Sequence, residues 1–209
     1  MGLRKSTSRR LLLSGLLALA ALALFIWFVH PFLAISRPVA ADTLVVEGWV
    51  PEYVAAEAAK EMLSGRYRMV FISGLFFERT DPRFSQGSDS AIVTAWLLKR
   101  GVPKTQIEAC PTECPSFNRT SHMARAVRDR MLSLKYAPKG VNVITLGPHA
   151  RQSLLAYDRM LGQTTAVGVI SYPKNDYKPE RWWASSAGIA KTTKDFAGWL
   201  KEQLVGLRS

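Results

Sequence analysis

The sequence predicts a three-layer α/β domain with a mostly parallel sheet, preceded by one N-terminal transmembrane helix. Three observations carry this expectation. Short β-branched runs alternate with segments of helical period over about 165 residues. A stretch of 19 residues without a charge, 11–29, follows a basic leader and is long enough to span a bilayer. The composition, 48% hydrophobic and 21% charged in 209 residues, is that of a folded chain. It excludes wholesale disorder, a collagen and a disulfide-rich miniprotein.

Residues 1–10 carry Arg4, Lys5, Arg9 and Arg10 and form a basic tail. Residues 11–29 exceed the apolar core of about 7 to 15 residues usual in a cleaved signal peptide, and Ala34-Ile35-Ser36 is a poor cleavage site. The segment therefore reads as an uncleaved anchor, and its basic flank assigns the tail to the cytoplasm and the body to the outside. Ser8-Arg9-Arg10 ahead of three leucines also resembles a twin-arginine export signal. Pro31 and Pro38 among small residues make 30–41 a short tether, and the body runs from 42 to 209.

Within the body, residues 43–46, 69–72, 141–146 and 166–170 are short and apolar on both faces, as buried parallel strands are; 106–109 is a weaker candidate for an edge. Helical stripes fall between them: Val54, Ala58, Met62; Ala91, Ala95, Leu98; Met123, Val127, Met131, Leu134; and Leu154, Tyr157, Leu161. Ile189, Phe196, Leu200 and Leu204 form the last. Gly65, Gly101, Gly140 and Gly162 stand where left-handed helix caps are expected.

The formal charge of +12 suggests nucleic acid until it is partitioned. Five basic residues and no acid lie in residues 1–41, leaving 23 basic against 16 acidic residues beyond them, a moderate excess that does not support a nucleic-acid partner. Two cysteines and three histidines are too few for a cluster or several zinc sites, so a metal would need carboxylates and no metal site is assigned. Cys110 and Cys114, in Cys-Pro-Thr-Glu-Cys, read as loop thiols or a local staple, since redox and zinc signatures usually space the pair by two residues.

Ligands of open parallel sheets bind beyond the carboxyl ends of the strands. The polar residues gather there. Glu47-Gly48-Trp49, Ser73-Gly74, Asn118-Arg119-Thr120 and His149-Ala150-Arg151 all follow strands or open helices. Gly48 and Gly74 permit tight turns and a close backbone approach, and their turns are candidate backbone donors to a ligand that Trp49, Ser73, Asn118 and Thr120 would also contact. Arg119 and Arg151, each at a helix start, are candidate anion clamps, His149 a candidate donor or acid/base, and Glu47 or Asp89 a candidate base. Either acid could equally be a cap, an ion-pair partner or a metal ligand through water. No GxGxxG, P-loop or GxSxG occurs, so neither a dinucleotide cofactor nor a serine-hydrolase elbow is indicated, and no cofactor is assigned. Trp182-Trp183 either flanks a sugar or lipid or packs the last helix.

Taken in order, Val45-Val46-Glu47-Gly48, Ile72-Ser73-Gly74, Leu97-Leu98 leading to Gly101-Val102-Pro103, Arg119-Thr120, and Thr145-Leu146-Gly147-Pro148-His149-Ala150-Arg151 resemble the SanA/YdcF/ElyC family of Rossmann-like bacterial domains. Glu47-Gly48-Trp49 and Arg181-Trp182-Trp183 resemble its membrane-anchored members. The chain departs from many relatives in lacking a double glycine after the first strand and in having Asp89 in place of a glutamate. The resemblance implies a role in cell-envelope biogenesis, around peptidoglycan or its lipid carrier, and no defined reaction. Three readings follow: a binding domain for an anionic, phosphorylated or lipid-linked sugar; a hydrolase or transferase acting on such a ligand; or a non-catalytic assembly or chaperone-like factor.

Overall fold

The structure, a computed structural model, describes residues 3–76, 87–113 and 118–206. Helix α1 (Leu3–Leu33) leads into strand β1 (Thr43–Glu47) and helix α2 (Glu52–Leu63). Strand β2 (Met69–Leu75), helix α3 (Asp89–Lys99), strand β3 (Ile107–Thr112) and helix α4 (Arg119–Ser133) follow. Strand β4 (Val141–Leu146), helix α5 (Ala150–Leu161), strand β5 (Val167–Tyr172) and helix α6 (Ser186–Gly206) complete the chain. Among the described residues the five strands form one all-parallel sheet of order β3-β2-β1-β4-β5. The α/β expectation holds, and the weak 106–109 candidate is indeed an edge strand.

Because successive strand residues point to opposite faces, the sheet fills two cores. Leu44, Val46, Val70 and Ile72 pack against Val54, Ala58 and Met62 of α2 and Val93 and Leu97 of α3. Val45, Phe71 and Val143 pack against Val127 and Met131 of α4 and Ala156 and Tyr157 of α5. Strand order reverses between β1 and β4, and their carboxyl ends open the crevice that such a reversal creates.

Residues 12–33 of α1, with a mean hydropathy of 2.6, are long and apolar enough to cross a membrane. The helix does not stop at Val29. It runs through Pro31 to Leu33, and Val29, His30 and Leu33 are buried against Tyr177 and Trp182. Residues 30–41 are therefore not a slack tether. The Arg37 backbone exchanges two hydrogen bonds with Val169 on the outer edge of β5, at 2.8 and 3.1 Å. The Asn142 amide grips both polar backbone groups of Val39, at 2.8 and 3.0 Å. Gly140 and Gly168 leave room for this strap: a Cβ on either would come within 2.6 Å of the backbone of residues 39–40.

Two cap assignments change with this. Gly65 and Gly101 adopt the expected positive φ after α2 and α3. After α4, however, Lys135 takes the left-handed position at φ 51°, while Gly140 serves the strap, and Gly162 stays right-handed. The last predicted stripe lies on a helix, α6, but is largely exposed. Ile189, Leu200 and Leu204 remain about half exposed on α6, which packs against α5 and the Gly147–His149 turn through its other side.

Candidate functional site

Beyond β1 and β4 lies a cleft of about 790 Å³, walled by Trp49, Asp89, the start of α4, the His149 turn, Lys174 and one side of α6. Its floor is built from strand-end polar residues. Glu47, fully buried at the end of β1, accepts hydrogen bonds from Thr145 Oγ1 of β4 and from Ser153 Oγ of α5, the latter at 3.0 Å. Burial raises the Glu47 pKa, an effect only partly offset by the nearby His149 charge and the two hydroxyl donors. Beside it, Tyr157 donates its hydroxyl to the buried Ser73 Oγ at 2.9 Å.

His149 stands above this floor. Gly147, at φ 55°, turns the chain after β4, and a single 3-10 turn carries His149 to the start of α5. Its Nδ1 lies 3.1 Å from Asp195 Oδ1 of α6, and its Nε2 lies 3.3 Å from Thr120 Oγ1 of α4. The Trp49 indole meets the imidazole edge-on, with centroids 5.0 Å apart. Burial by itself lowers the His149 pKa, but the Asp195 hydrogen bond and the charges of Glu47 and Asp195 outweigh it, and the net shift is upward. Asp195 responds in kind: burial raises its carboxyl, and the hydrogen bond and charge of His149, with Lys174 Nζ 3.5 Å away, bring it below the usual range.

The hydrogen bonds at Thr120 depend on the protonation of His149. Gln152 Nε2 donates to Thr120 Oγ1 at 3.3 Å. With His149 neutral and its proton on Nδ1, Nε2 accepts the threonine proton; with His149 charged, Nε2 donates as well, and the threonine hydrogen is released from the imidazole.

Arg119, the first residue of α4, lines the cleft, and its charge acts on Asp89 opposite. Burial raises the Asp89 pKa, while the Leu75 amide, 3.4 Å from Asp89 Oδ2, and Arg119 oppose that rise. Asn118 precedes the helix at φ 60° and gives the first turn no side-chain cap, so those amides lack intrahelical partners. Its Oδ1 is buried without a partner among the described residues.

The sequence candidates thus separate into three groups. His149, Trp49, Asp89, Asn118, Arg119 and Thr120 meet in the cleft. Glu47 and Ser73 lie beneath it, and Gly48 and Gly74 are the points where the α3 backbone closes on the strand ends. The Gly48 amide is spent on the Ser73 carbonyl at 2.6 Å, and a Cβ on Gly48 or Gly74 would strike the α3 backbone at Asp89 or Ser90. Arg151 leaves the site altogether. Its Nε donates to the Phe32 carbonyl, and its guanidinium stacks 3.9 Å over the Phe32 ring, because the end of α1 occupies the space beside α5.

Lys174, Asp195 and Gln152 were not foreseen. A signal did exist for Asp195: it sits three residues after Thr192 and four before Trp199, on the buried side of α6. Cys110 is a free, buried thiol that burial pushes up to about 12, and Cys114 lies outside the described residues. Among the described residues no three His, Cys, Asp or Glu side chains are grouped to hold a metal ion.

The chain matches no protein-family model and no curated protein.

Proposed function

We propose that the domain binds a phosphorylated ligand in this cleft and that His149 carries the proton that accompanies it. The carrying observation is the convergence, at the reversal of strand order, of the uncapped α4 start, Arg119 and the Asp195-supported His149. An anion there meets the first amides of α4, the positive end of the α4 dipole and two cationic side chains. Lys174, Lys191 and Lys194 extend the positive lining, with Asp195 and Asp176 pairing two of them. The resemblance to the SanA/YdcF/ElyC family supports placing the ligand in the bacterial envelope, as a phosphorylated or lipid-linked sugar. The basic leader supports an inner-membrane protein with its body outside the cytoplasm. A transferase or hydrolase reading is favoured by the Asp195–His149–Thr120 chain, in which a charged His149 is a proton donor for a departing oxygen.

The test is ligand-induced thermal stabilisation of the full chain in detergent by inorganic phosphate, pyrophosphate and glucose 1-phosphate. A ligand near 100 times its Kd stabilises by about 2.7 kcal/mol. Arg119→Ala is expected to abolish that gain and Arg151→Ala to retain it. No gain with any of the three, or equal loss in both variants, would refute the reading.

A further inference from the structure

We propose that the exported domain is itself seated in the membrane surface, with the exposed stripe of α6 and the aromatic residues around the end of α1 lying in the lipid. This is independent of what the cleft binds.

The first argument is length. The hydrocarbon core is about 30 Å thick, and a helix rises about 1.5 Å per residue. Between Arg10 and the first ring of α1 that touches the domain, Phe25, the uncharged helix is 14 residues long, about 21 Å. From Phe25 onward α1 is already clad on one side. Phe25 meets Phe196 edge-on at 5.4 Å, Trp27 lies 6.4 Å from Trp183, and the Ile26 carbonyl accepts a hydrogen bond from Trp182 Nε1 at 3.0 Å. The remaining third of the hydrocarbon thickness can be crossed only by helix that carries the domain with it. Tilting α1 shortens its reach and worsens the deficit.

The second argument is the pattern of α6. Ile189, Phe196, Leu200 and Leu204 recur at spacings of 7, 4 and 4, one face of a helix. Three of its four residues are not core: Ile189 is 46%, Leu200 45% and Leu204 53% exposed, while Phe196 packs beside the end of α1. The face is continuous with the span through the Phe25–Phe196 contact, and Phe25, Trp27 and Phe28 of α1 are themselves exposed. About 100° farther round from the stripe stand Lys194 and Lys201, at the lip of the cleft. An apolar stripe bordered by lysines, with tryptophans at its margin, is the pattern of a helix lying in the lipid interface.

The experiment uses the full chain in phosphatidylethanolamine–phosphatidylglycerol vesicles. Spin labels are attached at Ile189→Cys, Leu200→Cys and Leu204→Cys in a Cys114→Ser background, where the buried Cys110 stays unreactive. Lys60→Cys on the exposed side of α2 is the water control. The expected result is a ratio of oxygen to nickel-chelate collision at least fivefold higher at the three α6 positions than at 60. Ratios equal to the control would overturn the proposal. Shielding from both reagents would overturn it too, since protein, such as a second copy of the chain, would then cover the stripe.

Discussion

His149 shows how one side chain reports the charges around it. Its raised pKa means that its contribution to stability is fully present below the ordinary imidazole value of about 6.5 and is lost as pH rises through the folded value. Asp195, depressed, contributes above about 3.9 and loses that contribution as pH falls through its folded value. The pair therefore adds most between about pH 4 and 6.5. Asp195→Asn should cost about 1.5 to 3 kcal/mol near pH 5.5 and distinctly less at pH 9, where the His149 hydrogen bond has lost its charge assistance and the Lys174 partnership remains. Paired melting curves across that range check this, and a cost independent of pH would contradict it. Glu47→Gln, which removes a charge that raises His149, should move the imidazole titration downward, as read by NMR. Strand-end placement made Glu47 and His149 legible in the sequence. It could not reveal that Arg151 turns to Phe32, because that depends on where a helix more than 100 residues earlier comes to rest.

At the scale of elements, α3 approaches the sheet only because two strand ends lack a side chain. A Cβ on Gly48 would lie 2.9 Å from the Ser90 nitrogen, and one on Gly74 2.4 Å from the same atom. Both obstacles are backbone, so Gly48→Ala or Gly74→Ala should cost about 1 to 3 kcal/mol or more in denaturant unfolding. Because Asp89 opens α3, the change should also weaken phosphate binding; unaltered stability would show that α3 can retreat freely. The order of strands and helices was readable because a doubly covered parallel sheet writes continuous apolar runs between helical stripes. The role of the final stripe was not. Period alone says that a helix has an apolar face, and both a protein core and a lipid surface satisfy such a face equally.

The whole molecule is closed by its two ends. Val29, Leu33, Ile35 and the Arg37 bridge bury surface contributed by Tyr177, Trp182, Val169 and Ala150. A chain begun at Asp42, where composition drew the domain boundary, forfeits several side-chain burials worth about 1.5 to 3 kcal/mol each. Calorimetry should show it melting on the order of 10 °C below a chain begun at Ile26 in the same detergent. Equal melting points would mean that the docked helix contributes nothing to the fold. The same clasp governs biosynthesis. Helix α1 is translated first, whereas Tyr177, Trp182 and Trp199, which hold its end, are translated last. At about 5 to 20 residues per second, the nascent chain passes on the order of ten to thirty seconds with α1 made and the docking surface missing. Until then the apolar base of α1 lacks its final partners, whereas the Arg37 strap is already made when β5 emerges, so closure of the α1 end waits for the ribosome to reach the terminal helix.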